Sequence, residues 1–335
     1  MKIVFHIALA LWIACNAMQA SAQNIVIKMG TVAPEGSVWY NVLAKMKQEM
    51  EKASKGTVTV RIFPSGRQGD ESEMVRNVRQ GTTLNAVALS GAGLSQVDLS
   101  INALHIPMLI DSYDKFDYVR GKLEPRMERA IEAKGFVVLN WSDVGWVQFF
   151  SKSAARTPDD IRKLRLFTSS GDPDTEQIYK ELGFRPVPTG ANEIVTALQT
   201  GRIEAFPAPP ILALVNQSFG LASHMIDIKW SPLLGATLVS RTTWETIPEK
   251  LRVELLRIAR RTSDEFQPQI RSGGDSAVNQ MVQRGNLKVV TLTAAEKSLW
   301  VKEAEAAYPK MRGKLVPPDL FDEAVRLSKE YRPLR

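Results

Sequence analysis

From Asn24 onward the apolar residues switch repeatedly between a two-residue period and a three-to-four-residue period, which predicts alternating strands and helices. Ile25 to Met29 is a strand candidate, and Val38, Val42, Met46 and Met50 recur every four residues, giving a helix an apolar face. Thr57 to Phe63 alternates β-branched and polar residues as a second strand, and Pro64-Ser65-Gly66 turns the chain. A helix carrying Met74 and Val78 follows, and Ala86 to Leu89 is a third, buried strand. The spacing then predicts a helix over Tyr113 to Ala133, ended before Gly135, and a strong strand over Phe136 to Trp141. The alternation restarts with strands Trp146 to Phe150 and Leu164 to Phe167 and helices Asp174 to Leu182 and Ala191 to Gln199, so a second α/β domain is expected there. Leu233 to Ser240 is a further strand, and Pro248 opens a long helix with Leu251, Leu255, Leu256 and Ile258 on its face. Pro268 and Gly273-Gly274 should kink or break that helix. A strand over Leu287 to Leu292 and a helix over Ala294 to Tyr308 complete the pattern. In the tail from Val316, Leu320, Phe321, Ala324 and Leu327 fall at helical spacing, so this segment should pack on the body.

The N-terminus bears on where the chain works. Lys2 is followed by the apolar run Ile7 to Ala14 and by Ala20-Ser21-Ala22, the small-x-small pattern that signal peptidase cuts. Residues 1–22 therefore read as a cleavable signal peptide, with the mature chain beginning at Gln23. The apolar run is shorter than the roughly 20 residues of a permanent membrane helix, and none comparable occurs later. Cys15, the single cysteine, offers lipoprotein acylation as an alternative. Against it, Trp12 stands three positions before Cys15, where an aliphatic residue is usual. Loss of Cys15 with the signal leaves no thiol for disulfides, nucleophilic catalysis or metal binding.

A mature chain of about 310 residues suits two domains, and without a low-complexity linker several chain crossings are expected in place of one tether. The formal net charge of +7 is modestly basic, but Lys and Arg interleave with Asp and Glu, as in Arg261 to Glu265. A solvated surface explains that pattern better than a nucleic-acid site. Catalytic groups are scarce: the mature chain has His105 and His224, and lacks a Gly-x-Ser-x-Gly elbow, a Gly-rich phosphate loop and an HExxH helix. His105 lies in the apolar stretch Ala103 to Leu109 and reads as a core residue. Asp70, Asp172 and Asp174 stand at helix starts, where capping is the simplest role, though such ends also offer N–H groups to an anion. No enzyme activity, metal or cofactor is expected.

Five stretches carry a family resemblance: Gly56 to Gly69 (GTVTVRIFPSGRQG), Met74 to Gly81 (MVRNVRQG), Leu104 to Leu109 (LHIPML), Thr157 to Phe167 (TPDDIRKLRLF) and Thr196 to Glu204 (TALQTGRIE). In order and together, they resemble the periplasmic substrate-binding proteins of tripartite ATP-independent periplasmic (TRAP) transporters, the DctP family. The resemblance implies an α/β, two-domain periplasmic-binding-protein clamp with mixed sheets, several interdomain crossings and a long spanning helix. It implies a periplasmic receptor that closes on a solute and delivers it to TRAP membrane permease subunits. Domain I would comprise residues 23–142 with about 231–265, domain II residues 143–230 with about 266–312, and residues 313–335 a helical tail. Ala33 to Trp39 and the prolines Pro207, Pro209 and Pro210 further resemble the branch associated with a periplasmic tetratricopeptide-repeat partner.

Three positions depart from the family. Where its members carry a carboxylate-binding arginine after the strand "GLKIR", this chain has Phe167. A second basic position, after Gly145-Trp146, is Val147, and an asparagine position is Ala208. A buried carboxylate without a cation costs several kcal/mol, whereas each buried methylene gains about 0.8 kcal/mol. The expectation is therefore a hydrophobic or aromatic solute contacted by Phe167, Trp146, Val147, Phe206 and Ala208, with Trp39, Tyr40, Phe149 and Trp230 as further wall candidates. Aromatic residues in strands also serve as plain core. The alternative is a small organic acid held by Arg165, two residues before Phe167 on the same strand face, or by Arg185.

Overall fold

The computed structural model describes residues 24–285 and 287–333; the expected signal peptide and Cys15 lie outside the described residues. Strand β1 (Ile25–Thr31) leads into α1 (Val38–Ala53), β2 (Val58–Phe63), α2 (Glu71–Gln80), β3 (Ala86–Leu89) and α3 (Gly91–Ser95). After a 3-10 turn at Leu99–Leu104 come α4 (Tyr113–Ala133), β4 (Phe136–Trp146) and β5 (Gln148–Ser151). Next are α5 (Pro158–Arg162), β6 (Arg165–Ser169), α6 (Pro173–Glu181), β7 (Arg185–Thr189), α7 (Ile194–Gln199), β8 (Ala205–Ala208), α8 (Pro210–Val215) and β9 (His224–Ile226). The chain ends with β10 (Pro232–Ser240), α9 (Arg241–Glu245), α10 (Glu249–Gly285), β11 (Lys288–Val290), α11 (Ala294–Met311) and α12 (Pro318–Glu330).

These strands form two mixed sheets. The first has the order β2-β1-β3-β10-β4, and the second β11-β9-β5-β8-β6-β7. β1 runs parallel to β2 and β3, while β10 is antiparallel to β3 and β4. In the second sheet β6 is parallel to both β7 and β8, and β5 is antiparallel to β8 and β9. Helices cover both faces of each sheet, as buried parallel strands require. Ile27, Met29, Val58 and Val60 pack with α1 and with Leu255, Ile258 and Ala259 of α10. On the opposite face Met74, Val78, Val87 and Val138 join Phe116 and Leu123 of α4 and Leu320, Phe321, Ala324 and Leu327 of α12, so the tail is part of the body. The faces of the second sheet are split likewise: Phe149, Leu166 and Trp300 lie in one cluster, and Phe150, Phe206, Ala277 and Met281 in another.

Two expectations change. The strand expected to stop at Trp141 continues to Trp146, because β10 pairs with it from Phe136 to Trp146; the sheet changes at Val147, and Gln148 pairs with the second sheet. The long helix is not broken. α10 runs for 37 residues, a span of about 55 Å, through Pro268 and Gly273-Gly274. Pro268 removes one backbone bond to Asp264, but Asp264 is exposed, on the solvent side of the helix, while Ser263 and Ile270 are buried on either side. Burial of Leu255 to Ser263 against the first sheet and of Ala277 and Met281 against the second makes α10 span both layers.

His105 is a packed core residue: its Nε2 accepts from Leu234 N at 3.2 Å, and a Cβ on Gly91 would strike its ring. Burial lowers its pKa to about 4, because protonation would add a charge and remove that acceptor. The unfolded chain, with an imidazole near 6.5, binds the proton first. The His105 contribution is therefore present above pH 6.5 and lost as pH falls toward 4, by up to about 3 kcal/mol. Urea unfolding at pH 7 and pH 4.5 should show this loss, and a His105→Gln variant should show less of it.

Candidate functional site

In open α/β sheets a ligand sits beyond the C-terminal ends of parallel strands. In the first sheet these ends are Thr31, Phe63 and Leu89, and in the second Ser169, Thr189 and Ala208. Helices start just after them. Ser37 accepts from Tyr40 N at 3.3 Å, Asp70 from Glu73 N at 2.8 Å, and Asp172 from Thr175 N at 2.9 Å, so these side chains cap α1, α2 and α6. Asp174 lies 3.9 Å from Lys314. Glu71 ties α2 to the end of β3: its carboxylate accepts from Ser90 N at 2.6 Å and Ser90 Oγ at 2.7 Å, and burial raises its pKa.

The two sets of strand ends meet across the cleft. Gln96 Nε2 donates to Gly171 O at 2.7 Å, joining the loop after α3 to the loop after β6. A Cβ on Gly171 would lie 2.4 Å from Ser72 Oγ, so a small side chain there would make Ser72 turn away and only a large one would press on the facing layer. Arg79 Nη2 steadies the first partner by donating to Gln96 O at 2.9 Å.

The residues singled out from the sequence fall into several groups. Phe167 and Ala208 are half-buried on one face of the second sheet and pack, with Val187, on the same apolar cluster. Phe206 shares that face but is fully buried and stacked on Phe150, with ring centroids 5.1 Å apart. Phe149 and Trp230 lie in the cluster on the other face, where both meet Trp300. Trp146 packs against Tyr113 at 5.3 Å, and Val147 sits where the chain changes sheets. Trp39 and Tyr40 are half-buried in the first turn of α1, with Trp39 Nε1 donating to Asp143 O at 3.2 Å. Arg165 lies at the start of β6, the end away from Ser169; its Nε donates to Gly201 O at 2.8 Å and its Nη2 pairs with Glu204 at 3.1 Å. Arg185, its cross-strand neighbour, is exposed and donates to Lys163 O at 3.2 Å.

A charged junction beside the cleft was not anticipated. Arg271 of α10 donates to Asp143 of β4 at 2.5 Å and to both oxygens of Asp117 of α4 at 2.6 and 2.7 Å, with its guanidinium 4.4 Å from the Tyr113 ring. Burial raises the pKa of Asp143 despite Arg271, and pushes that of Tyr113 to about 12. Lys229 Nζ lies 5.2 Å from the Trp146 ring on the other side of this aromatic pair. The available signal was Asp143 itself, a charge inside a strand otherwise rich in Trp and Val. Among the described residues no group of three or more His, Cys, Asp or Glu is placed to hold a metal, and no helix is long and apolar enough to cross a membrane.

Gly171→Trp, too large to be cleared by a turn of Ser72, should hold the layers apart. Small-angle scattering should then give a larger radius of gyration than the parent protein, and an unchanged profile would dissociate this contact from closure. Arg271→Met, which leaves Asp143 to the longer Arg120 contact at 3.4 Å, should cost roughly 3 kcal/mol in urea unfolding.

Comparison with known proteins places these observations in a family. Residues 29–314 match the DctP family model, bacterial extracellular solute-binding protein family 7. The chain is 23% identical over 297 residues to the C4-dicarboxylate-binding periplasmic protein DctP of Rhodobacter capsulatus, covering 88% of this chain and 89% of that one. It is 24% identical over 254 residues to the 2,3-diketo-L-gulonate-binding periplasmic protein YiaO of Escherichia coli, covering 74% and 75%. Its fold matches a TRAP periplasmic solute-binding protein of Ralstonia eutropha with bound (S)-2-acetolactate at a TM-score of 0.84, 19% identity and coverage of 91% and 99%. A second, from Sulfurospirillum deleyianum with bound succinate, matches at a TM-score of 0.82, 17% identity and coverage of 92% and 99%. With two mixed sheets joined by α10 and a family match over most of its length, this chain belongs to the DctP family and is a non-enzymatic periplasmic solute receptor of the TRAP type.

Proposed function

We propose that the receptor binds a small organic acid in the cleft between the sheets, closes over it, and presents it to the TRAP permease. The observation that carries this reading is the family match over residues 29–314, together with the solutes named for similar proteins: a C4-dicarboxylate, a diketo-gulonate, acetolactate and succinate. Closure is a bending of two layers, and the Gln96 to Gly171 bond is a contact suited to the closed form. The permease would then recognise that form, a shift of population driven by the solute. To this reading belong the domain division proposed from the sequence, residues 23–142 with about 231–265 against 143–230 with about 266–312, and export by a signal peptide cleaved after Ala22. No tetratricopeptide-repeat partner is needed.

An apolar solute is the second reading. It is favoured by one observation, that Phe167 and Ala208 share an apolar cluster with Val187, read with the resemblance that sets Phe167, Val147 and Ala208 where family members carry polar anchors. An acid bound there needs another source of positive charge. Arg165 would have to exchange Glu204 and the Gly201 carbonyl for the solute.

Native mass spectrometry of receptor purified from its own periplasm, with extraction of the released compound, separates the two readings. A carboxylate supports the first; a neutral lipid or aromatic compound overturns it in favour of the second. Phe167→Arg should tighten binding of the carboxylate by about tenfold if the cleft takes acids at this position, and abolish binding of a neutral apolar solute. Unchanged affinity for either would remove Phe167 from the site.

A further inference from the structure

We propose that Arg79, in the last turn of α2 and away from the strand ends, is a positioning residue for closure: it holds the end of α3 so that Gln96 meets Gly171 O, and so favours the closed receptor. The inference rests on the closure of the two layers proposed above and on no particular solute.

α3 is weak by itself. Gly91–Ser95 reads GAGLS, little more than one turn with two glycines, and its N-cap Ser90 makes no side-chain cap bond. Its shape is therefore imposed from outside. At its start Glu71 accepts from Ser90 N at 2.6 Å and from Ser90 Oγ at 2.7 Å. Near its end Ser95 Oγ lies 2.7 Å from Asn102 Oδ1, and Asn102 Nδ2 donates to Leu315 O at 2.9 Å. Past the end, the N–H groups of Val97 and Asp98 both go to Leu94 O, so the Gln96 carbonyl is one of those that a helix C-terminus leaves without a partner in the chain that follows. Arg79 Nη2 supplies the donor at 2.9 Å, a cation at the negative end of the helix. Glu71 opens α2 and Arg79 lies in its last turn, about 12 Å further on, so one regular helix braces both ends of a weak one.

The brace acts on closure because Gln96 is the residue that crosses. Its Nε2 donates to Gly171 O at 2.7 Å, a bond available only while the layers are together. The receiving loop is fixed as well: Gly171 N lies 3.4 Å from Ser169 Oγ, and the neighbouring Asp172 caps α6 through Thr175 N at 2.9 Å. A bond between groups already held in place loses less conformational entropy on forming than one between groups that must be ordered at that moment. Arg79 thus shifts the balance toward the closed form without contact with Gly171. Since the bond includes no atom of the solute, it raises the ratio of closed to open receptor by the same factor whatever the cleft holds.

The mature chain from Gln23 has no cysteine, so Lys52→Cys on α1 and Lys297→Cys on α11, both exposed, place spin labels on the first and second layers. Pulsed electron–electron distance measurements on receptor refolded free of solute then read the ratio of near to far populations. Gln96→Ala should lower that ratio about fivefold and Arg79→Met about threefold, with a smaller fall for Arg79→Lys, which keeps a donor and the charge. In the Gln96→Ala background Arg79→Met should change nothing more, which separates a residue acting through Gln96 from one that only stabilises its own layer. Arg79 is exposed, and its variants should unfold in urea at the midpoint of the parent. An unchanged distribution in Arg79→Met, or an equal fall with and without Gln96, overturns the proposal. Gly171→Trp separates the two levels of failure: if it widens the distances and Arg79→Met does not, closure stands and the role of Arg79 falls, whereas no change in either variant overturns closure and the role of Arg79 together.

Discussion

The two layers are joined at a crossing in which one residue is bonded on both sides. Val147 N donates to Ser231 O at 2.9 Å, and Trp230 N donates to Val147 O at 3.0 Å, so the chain leaving the first sheet and the chain returning to it run side by side as a paired ribbon. Met108 N adds a bond to Trp230 O at 2.6 Å. A paired ribbon resists sliding, because a one-residue slip would break these bonds and turn every side chain to the opposite face. It permits bending. With α10 as a third crossing, the remaining freedom is rotation of one layer toward the other, which is the motion a clamp needs. The same constraint limits the chemistry of the crossing. Trp146, Val147 and Trp230 are each at most 9% exposed, and their packing is spent on fixing the layers.

Charge fixes the third crossing. A buried ion pair contributes little to net stability, because desolvation offsets most of the attraction, but removing one partner is expensive. Asp143 with Arg271 and Asp117 therefore acts mainly as a specification: α10 has one position along β4 and α4 at which all three charges are paired. That position sets where Gly273-Gly274 fall, just past the pinned residue, between the half of α10 packed on the first sheet and the half packed on the second. The two glycines do not interrupt the helix, yet they leave its least hindered turn beside its most tightly held one.

Much of this architecture is legible in the sequence because burial on one face imposes a period. Tyr113 to Ala133 and Ala86 to Leu89 appear as helix and strand with the boundaries that the pattern gives, and the four apolar residues of the tail are buried as expected. The sheet to which a strand belongs is not periodic information. Phe136 to Phe150 reads as two apolar runs, and only the partner strands decide that the change falls at Val147. Short elements such as α5 carry too few residues for a period, although its capping box at Thr157 and Asp160 is a local signal. The candidate site was less legible, since Phe206 and Phe149 look alike as aromatic residues in strands, and alternation assigns them to opposite clusters without saying which is closer to a cleft.

The fold fixes a place for a solute and leaves its chemistry to a few side chains. Arg165 shows how position, and not energy, decides whether a cation can take part. Its pair with Glu204 is substantially exposed, and such pairs contribute about 0–1 kcal/mol, so exchanging Glu204 for another carboxylate is cheap. Distance is the obstacle. Arg165 begins β6 and Ser169 ends it, a separation of about 13 Å along the strand, and solutes in this architecture sit beyond the end. Phe167 is halfway along the same face, and with Val187 beside it on β7 it interposes apolar side chains between the guanidinium and the strand ends. An acid reaching Arg165 would have to cross those side chains without its water. If the solute is an acid, a cation at the strand ends or on the facing layer would reach it more readily than Arg165.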